Sequence, residues 1–172
     1  MNDPVKSELN ICVLTVSDTR TGDTDKSGKV LVDLLTDAGH KLADKRIVPD
    51  DIYQLRAQVS QWIADRDVDV VLITGGTGMT GRDSTPEALS PLFDRQIEGF
   101  GELFRYLSYR EIGTSTIQSR TVAGLANSTL VFCLPGSTGA CRTAWNGILK
   151  DQLDVTHRPC NFVTQFPRFD EH

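Results

Sequence analysis

Three short apolar segments recur along the chain, and each is rich in Val, Ile and Leu. They run from Ile11 to Val16, from Val68 to Thr74 and from Leu130 to Leu134, without the strict alternation of a sheet that has one wet face. Segments of this kind are typical of parallel strands that are covered on both sides. We therefore predict that these three strands form the centre of a parallel sheet.

Helical spacing of apolar residues fills the intervals between these strands. The first interval carries apolar residues at helical spacing over residues 30–38, and Gly39 can adopt the left-handed end of a helix. Residues 40–48 have the pattern of an outer strand, after which Asp50 or Asp51 can open a second helix. The repeat of strand and helix predicts an α/β fold with a mainly parallel sheet.

The second half of the chain continues the helical pattern. Thr85 can cap a helix that has Pro86 at its first position, and apolar residues over 100–107 indicate a further amphipathic helix. Another helix follows the strand that ends at Leu134. The predicted organisation is a flexible segment over residues 1–9, a single domain over 10–153 and an extended tail over 154–172. We expect this tail to dock on a partner subunit.

The composition excludes several classes of protein. The 172 residues include 18 Lys and Arg against 23 Asp and Glu, a formal charge of −5, and no basic run indicates a nucleic-acid partner. No apolar run approaches the roughly 20 residues of a membrane span, and the polar start is not a secretory signal, so we predict a cytoplasmic protein without membrane contact. The 4 cysteines and 3 histidines are dispersed, which argues against a zinc site or a histidine-based triad.

Polar segments follow all four predicted parallel strands. They are Ser17 and Asp18, then Pro49, Asp50 and Asp51, then the Gly-rich loop from Thr74 to Asp83, and finally Pro135, Gly136 and Ser137. The carboxyl ends of parallel strands meet at one edge of an open sheet, where ligands bind. We therefore expect one ligand site that is built from all four segments.

The Gly-rich loop is the most informative of these segments. Its spacing over residues 76–81 fits a dinucleotide-binding loop, but it follows the third strand and the next helix begins only at Thr85. A Walker A loop would need a Gly-Lys-Ser/Thr sequence, which does not follow. Glycines would allow backbone N–H groups and threonine hydroxyls to approach an anionic ligand, and a tight turn is the alternative. The candidate ligand residues are Thr74, Gly75, Gly76, Thr77 and Gly78.

Acidic side chains beside these loops favour a metal site. Asp50, Asp51 and Asp83 carry the hard oxygen ligands that hold Mg²⁺ together with phosphates, although Asp50 or Asp51 could equally cap its helix. Arg82 is either a solvated charge or a phosphate partner, and Ser119 with Arg120 forms a second candidate contact. These loops lack lysine and histidine, which favours charge neutralisation in the transfer of a phosphorus group over proton shuttling.

The order of the motifs along the chain is itself distinctive. It comprises Ile47-Val48-Pro49-Asp50, the loop Thr74 to Gly78, the continuation Arg82 to Ala88, Ser119-Arg120 and Pro135-Gly136. This order resembles the molybdopterin-binding domain family of molybdenum cofactor biosynthesis, over roughly residues 10–155. Residues 113–120 and 135–138 are most similar to one branch of that family. The resemblance implies a three-layer αβα domain with a mainly parallel central sheet, assembled as a homotrimer or homohexamer, with one molybdopterin site per subunit.

The resemblance also implies an activity. Catalytic members adenylylate molybdopterin, because its terminal phosphate attacks the α-phosphorus of Mg-ATP and pyrophosphate leaves. By motif position, Asp50 and Asp83 match the catalytic, metal-holding acids, residues 74–78 match the phosphate and pterin loop, and Ser119 matches a pterin contact. This chain departs from the usual Pro-Gly-Asn-Pro sequence at residues 135–138.

The expected function is therefore that of a molybdopterin adenylyltransferase which uses Mg²⁺ and ATP. Other proteins of the same biosynthesis are candidate partners. The departure at residues 135–138 leaves a first alternative, a protein that binds molybdopterin or a precursor without adenylylating it. A nucleotide-binding oxidoreductase is the second alternative.

Overall fold

A six-stranded mixed sheet forms the centre of the protein, whose computed structural model describes residues 6–171. The strands are β1 (Asn10–Val16), β2 (Lys41–Val48), β3 (Val70–Thr74), β4 (Arg95–Gln96), β5 (Val122–Ala126) and β6 (Thr129–Leu134). Their order in the sheet is β2-β1-β3-β6-β5-β4. All neighbours pair in parallel except around β5, which runs antiparallel to both β6 and β4. The predicted α/β fold with a mainly parallel sheet is confirmed.

Helices cover both faces of this sheet and complete the predicted three layers. The α-helices are α1 (Lys26–Asp37), α2 (Ile52–Ala64), α3 (Thr85–Leu89), α4 (Glu98–Ile112), α5 (Thr138–Ala144) and α6 (Lys150–Gln152). A π-helical segment over Trp145–Leu149 joins α5 to α6, and 3₁₀ turns lie at Ser90–Leu92, Gly113–Gln118 and Val163–Arg168. Buried residues of α1, α4 and α5 form the core on one face, and those of α2 and α3 form the core on the other.

The central strands contribute side chains to both cores, which is why they lack an apolar and polar alternation. On β1, Ile11 and Val13 belong to the core under α1, α4 and α5, whereas Cys12 and Leu14 belong to the core under α2 and α3. All four side chains are fully buried. The same division of successive residues over two faces is what the period of a strand dictates.

The start of α2 and the end of α1 are formed by residues that the sequence predicted, whereas the start of α3 is not. Asp51 caps α2, since its Oδ1 accepts from Tyr53 N at 3.0 Å and Gln54 N at 2.9 Å. Gly39, at φ +85°, ends the turn after α1 as predicted. Thr85 does not cap α3, because it is the first residue of that helix and its hydroxyl donates to Gly75 O at 2.9 Å.

The sequence patterns did not indicate β4 and β5. Three of the five residues of β5 are Ala or Gly, and a Cβ on Gly124 would lie 2.2 Å from the ring of Phe93, so the strand has room for no larger side chain there. The tail also differs from the predicted extended form. It contains the 3₁₀ turn Val163–Arg168, and Val163 lies in the core. Of the predicted N-terminal segment 1–9, residues 1–5 lie outside the described part and Leu9 is fully buried.

Within residues 6–171, no helix combines the length and the apolar character that crossing a membrane requires.

Candidate functional site

Backbone hydrogen bonds join the predicted ligand segments at one edge of the sheet. Ser17 N donates to Val48 O at 3.0 Å, and Gly75 N donates to Leu134 O at 3.0 Å, so the ends of β1, β2, β3 and β6 lie side by side. The segment before β5 reaches the same edge, where Arg120 N donates to Thr77 O at 3.1 Å. The structure therefore brings together all four segments that follow strands, and adds a fifth that precedes one.

Two glycines of the Gly-rich loop are required by close contacts as well as by backbone conformation. Gly75 has φ +110°, and a Cβ there would lie 2.3 Å from Val16 O. Gly76 has φ +67°, and a Cβ there would lie 2.2 Å from Thr85 Oγ1. These glycines thus serve a tight turn and also let the loop pack against the end of β1 and the start of α3.

Thr74 and Thr77, the first two threonines of the loop, face the protein interior. Thr74 is fully buried, and its hydroxyl donates to Pro135 O at 3.0 Å and accepts from the Cys141 thiol at 3.4 Å. Thr77 is buried as well, with 3% of its surface exposed. The hydroxyl of Thr74 therefore ties the loop after β3 to the loop after β6, and the backbone of this loop is better placed than its side chains to face a ligand.

Asp50 links the loop after β2 to the start of α3. Its Oδ1 accepts from Ser84 N at 3.1 Å and from Ser84 Oγ at 2.6 Å. Its Oδ2 has no hydrogen-bond partner within residues 6–171 and would lie 2.8 Å from a Cβ on Gly76. Since Asp51 caps α2, Asp50 keeps one carboxylate oxygen available beside the Gly-rich loop.

Asp83 lies on the other side of the same loop as an ionised carboxylate. Its Oδ2 accepts from Thr80 Oγ1 at 2.6 Å and from Thr80 N at 2.9 Å. The pKa of Asp83 is lowered, chiefly by the Thr80 hydroxyl and further by backbone N–H groups of Thr80 and Gly78. A Cβ on Gly78 would lie 2.8 Å from Asp83 Oδ2, so this glycine also borders a carboxylate.

Both arginines of the edge already have protein partners. Arg82 pairs with Asp18 through two bonds, Nε to Oδ2 at 3.0 Å and Nη2 to Oδ1 at 2.8 Å. This hydrogen-bonded arginine lowers the pKa of Asp18, whose Oδ1 also accepts from Asp50 N at 3.0 Å. Arg120 donates to Gly78 O at 2.7 Å and to Asp83 O at 3.0 Å, and it forms an ion pair with Glu87.

The three predicted serines have different surroundings. Ser17 Oγ accepts from two backbone N–H groups of its own loop. Ser137 Oγ caps α5 by accepting from Ala140 N at 3.1 Å. The Ser119 carbonyl accepts from Arg105 at 3.3 Å, and its half-buried hydroxyl has no partner in the described part of the chain. Ser119 is therefore the one of these three whose hydroxyl is free for a ligand.

The surface at this edge is a shallow depression of about 260 Å³. It is lined by Asp50, Asp51, Ile52, Tyr53, Gly81, Arg82 and Ser84. A larger cavity of about 410 Å³ lies near the amino ends of β3 and β6, where the described side chains form ion pairs with one another. The chemistry of the loops, rather than the size of the depression, identifies the candidate site.

The carboxylates fit a cation that is shared with a ligand. Among residues 6–171, no three His, Cys, Asp or Glu side chains converge on a point where they alone could hold a metal ion. Mg²⁺ in phosphate sites needs only one or two carboxylates, since substrate oxygens and water complete its shell. The available Oδ2 of Asp50 and the ionised carboxylate of Asp83 are oxygen ligands of the kind that such a shared cation takes.

Several residues of the site were not singled out from the sequence. Thr80 and Ser84 hold the two acids, Glu87 pairs with Arg120, and Arg105 holds the backbone before β5. For Thr80, Ser84 and Glu87, the only signal in the sequence was the concentration of hydroxyl and acidic residues over 80–87. Nothing in the sequence indicated a role for Arg105, because its partners lie just before β5, a strand that was not predicted.

Known proteins resemble this chain in both sequence and fold. The family model described as "Probable molybdopterin binding domain" matches residues 12–155. Molybdenum cofactor biosynthesis protein B of Escherichia coli (strain K12) is 62% identical over 152 residues, which are 88% of this chain and 89% of that protein. A crystal structure of a molybdenum cofactor biosynthesis protein B superposes with a TM-score of 0.83 at 47% identity and covers 88% of this chain and 94% of its own. The tungsten cofactor synthesizing protein MoaB from Pyrococcus furiosus superposes with a TM-score of 0.75 at 36% identity, with 85% and 93% covered.

Proposed function

This chain belongs to the molybdopterin-binding domain family of molybdenum cofactor biosynthesis, and its relatives include B proteins of that biosynthesis. On this premise we propose that it binds molybdopterin at the carboxyl edge of the sheet and adenylylates it with Mg-ATP. One observation carries the proposal. Asp50 and Asp83 border the same loop, at Gly76 and Gly78, and Asp50 keeps one oxygen available there.

The reaction needs positioning and charge neutralisation rather than a proton carrier. A terminal phosphate oxygen of molybdopterin forms a new bond to the α-phosphorus of ATP, the bond from that phosphorus to the bridging oxygen of the β-phosphate breaks, and pyrophosphate leaves. Mg²⁺ supplies neutralisation of the charge on the phosphates. Asp50 and Asp83 hold the cation, backbone N–H groups of the loop bind phosphate oxygens, and Ser119 donates its free hydroxyl to the pterin. This division of roles agrees with loops that carry no lysine or histidine.

One observation favours a second function, binding without adenylyl transfer. Arg82 is paired with Asp18 and Arg120 with Glu87, so both arginines of the edge are already neutralised by carboxylates. Ser137, at the position where the chain departs from its family, caps α5. A triphosphate would then depend on the cation and on backbone N–H groups alone, whereas a pterin monophosphate carries less charge to neutralise.

The deciding experiment measures pyrophosphate release by purified protein with molybdopterin, ATP and Mg²⁺. We expect Asp50→Asn and Asp83→Asn each to lower kcat/KM by about 100-fold or more, because each removes a charged ligand of the cation. Asp37→Asn is the matched control, since it removes one exposed carboxylate at the far end of α1. Turnover of Asp83→Asn at the rate of the control would show that the metal role is wrong.

Binding measurements separate the remaining alternatives. Tight molybdopterin binding by titration calorimetry, without pyrophosphate release, would favour the pure binding function. Saturable binding of a nicotinamide cofactor would instead revive the oxidoreductase alternative.

We further propose that the protein works as a homotrimer or homohexamer, as the family resemblance implies, and that it does so in the cytoplasm, as its composition predicts. Sedimentation equilibrium of the purified chain tests the assembly, and a monomer at micromolar concentration would contradict it.

A further inference from the structure

Arg120 makes more contacts with the Gly-rich loop than any ligand role requires. Its Nε donates to Gly78 O at 2.7 Å, its Nη2 donates to Asp83 O at 3.0 Å, and its Nη1 pairs with Glu87 on α3. Its backbone N–H donates to Thr77 O at 3.1 Å. All three guanidinium nitrogens are therefore engaged by the protein, at both ends of the part of the loop that leads to Asp83.

The Arg120 side chain is also less exposed to solvent than that of Arg82. The Arg120 side chain is 28% exposed, compared with 66% for Arg82. Its acceptors are two backbone carbonyls and a carboxylate, which a phosphate would have to displace. The planar fork of an arginine suits such a fixed arrangement of several acceptors better than a lysine does.

A second arginine holds α3 from the opposite side. Arg56 on α2 donates from Nε to Ala88 O at 2.9 Å and from Nη2 to Glu87 O at 3.1 Å. The short helix α3 is thus fixed to α2, and Glu87 offers Arg120 an anchored partner. The loop from Gly78 to Asp83 is consequently held between the segment that leads into β5 and a helix that is itself bonded to α2.

We propose that Arg120 is a positioning residue, which clamps the Gly-rich loop between β5 and α3 and so fixes Gly78 and Asp83 for the ligand without contacting it. The kinetic part of this inference rests on the proposed adenylyl transfer, whereas the clamp itself does not. A clamp and a phosphate contact predict opposite effects when Glu87 is neutralised. If Arg120 is a clamp, Glu87→Gln weakens that clamp. If Arg120 contacts phosphate, Glu87→Gln frees the guanidinium to bind phosphate more tightly.

The clamp is tested first in ligand-free protein, by amide hydrogen exchange of peptides that cover residues 76–84. Arg120→Lys keeps the charge but cannot reach all three acceptors, so we expect exchange of this loop to become about tenfold faster or more. Glu87→Gln should accelerate it by about threefold. Asp33→Asn, which breaks the exposed Lys29 pair on α1, is the matched control and should leave the loop unchanged. Wild-type exchange of the loop in Arg120→Lys would overturn the inference.

Steady-state kinetics then separate positioning from contact. We expect Arg120→Lys to lower kcat by about 10- to 100-fold and Glu87→Gln to lower it in the same direction, with the KM for ATP changed by less than about threefold. A raised KM at unchanged kcat in Arg120→Lys, together with a lowered KM in Glu87→Gln, would show direct phosphate contact and overturn the proposal. If wild-type protein shows no turnover, the adenylyl transfer fails, and the exchange experiment still decides on the clamp.

Discussion

Gly76→Ala adds one methyl group where the Gly-rich loop meets α3. At φ +67° an L residue occupies the left-handed region, which costs roughly 1–2 kcal/mol. The new Cβ would lie 2.2 Å from Thr85 Oγ1 and 2.8 Å from Asp50 Oδ2, so both groups must move, and overpacking of this kind costs about 1–3 kcal/mol. A stiffer unfolded chain returns roughly 0.4–1 kcal/mol. We therefore expect the free energy of unfolding to fall by about 1–5 kcal/mol.

Two other glycines separate the contributions to this loss. Gly39 has φ +85° but no atom within 4 Å of its Cβ position, so Gly39→Ala measures the conformational cost alone, about 0–1.6 kcal/mol after the unfolded-chain correction. Gly81 lies in the same loop as Gly76, without a positive φ and without a close contact. Gly81→Ala should leave stability within about 0.5 kcal/mol of wild type or raise it slightly.

Urea unfolding followed by tryptophan fluorescence provides the assay, because Trp62 and Trp145 are both buried and lie in different cores. The three variants should rank with Gly76→Ala least stable, Gly39→Ala intermediate and Gly81→Ala near wild type. A loss in Gly76→Ala no larger than that in Gly39→Ala would refute the reasoning, since it would mean that Thr85 and Asp50 yield to the methyl group without cost. Molybdopterin binding by the same variant should weaken with the displaced Asp50.

Three further predictions concern groups away from the loop. Burial lowers the pKa of His40 below its usual 6.5, and its Nδ1 accepts from Leu9 N at 3.3 Å. The contribution of His40 to stability is therefore complete above pH 6.5 and is lost as the pH falls below that value. Urea unfolding of wild type and of His40→Gln should diverge above pH 6.5 and converge in acid. Of the four thiols only Cys160 is exposed, so a thiol reagent at pH 8 should label one thiol per native chain and four in urea; rapid labelling of a second native thiol would contradict the burial. Burial raises the pKa of each of the other three, Cys12, Cys133 and Cys141. Ser137→Ala removes the cap of α5 and should cost about 1 kcal/mol in urea unfolding, whereas an unchanged midpoint would mean that the cap contributes nothing.

The central strands could be predicted because their signal is burial on both faces. β1 and β6 begin one residue before the predicted segments and end with them, but β3 begins two residues later than predicted, at Val70. Val68 and Asp69 are buried without belonging to the strand, and the Asp69 carboxylate accepts from Asn10 N at 2.8 Å. Apolar character therefore reports which residues are covered, whereas the limits of a strand depend on where its ladder of hydrogen bonds ends.

The acidic residues of the candidate site could be predicted from the sequence, but the residues that hydrogen-bond to them could not. Asp50 and Asp51 both precede α2, and sequence spacing alone cannot decide which one caps it. The decision depends on Ser84, which engages Asp50 from 34 positions away in sequence. Thr85 was predicted as a cap for the same local reason, but its hydroxyl bonds to the loop instead. Long-range hydrogen bonds reassign residues that local rules treat as equivalent.

The single reversed strand explains why the segment at Ser119 and Arg120 reaches the site at all. In a wholly parallel sheet, residues that precede a strand lie at the amino edge, opposite the ligand. Because β5 runs antiparallel to β6, the residues before β5 lie beside the residues after β6. The register of this hairpin is set by its turn at Asn127 and Ser128, which both have positive φ, +47° and +68°. A slip of one residue there would move Arg120 off its three acceptors, although the turn lies roughly 23 Å away along the chain. The position of the clamp is therefore specified at the opposite edge of the sheet from the ligand.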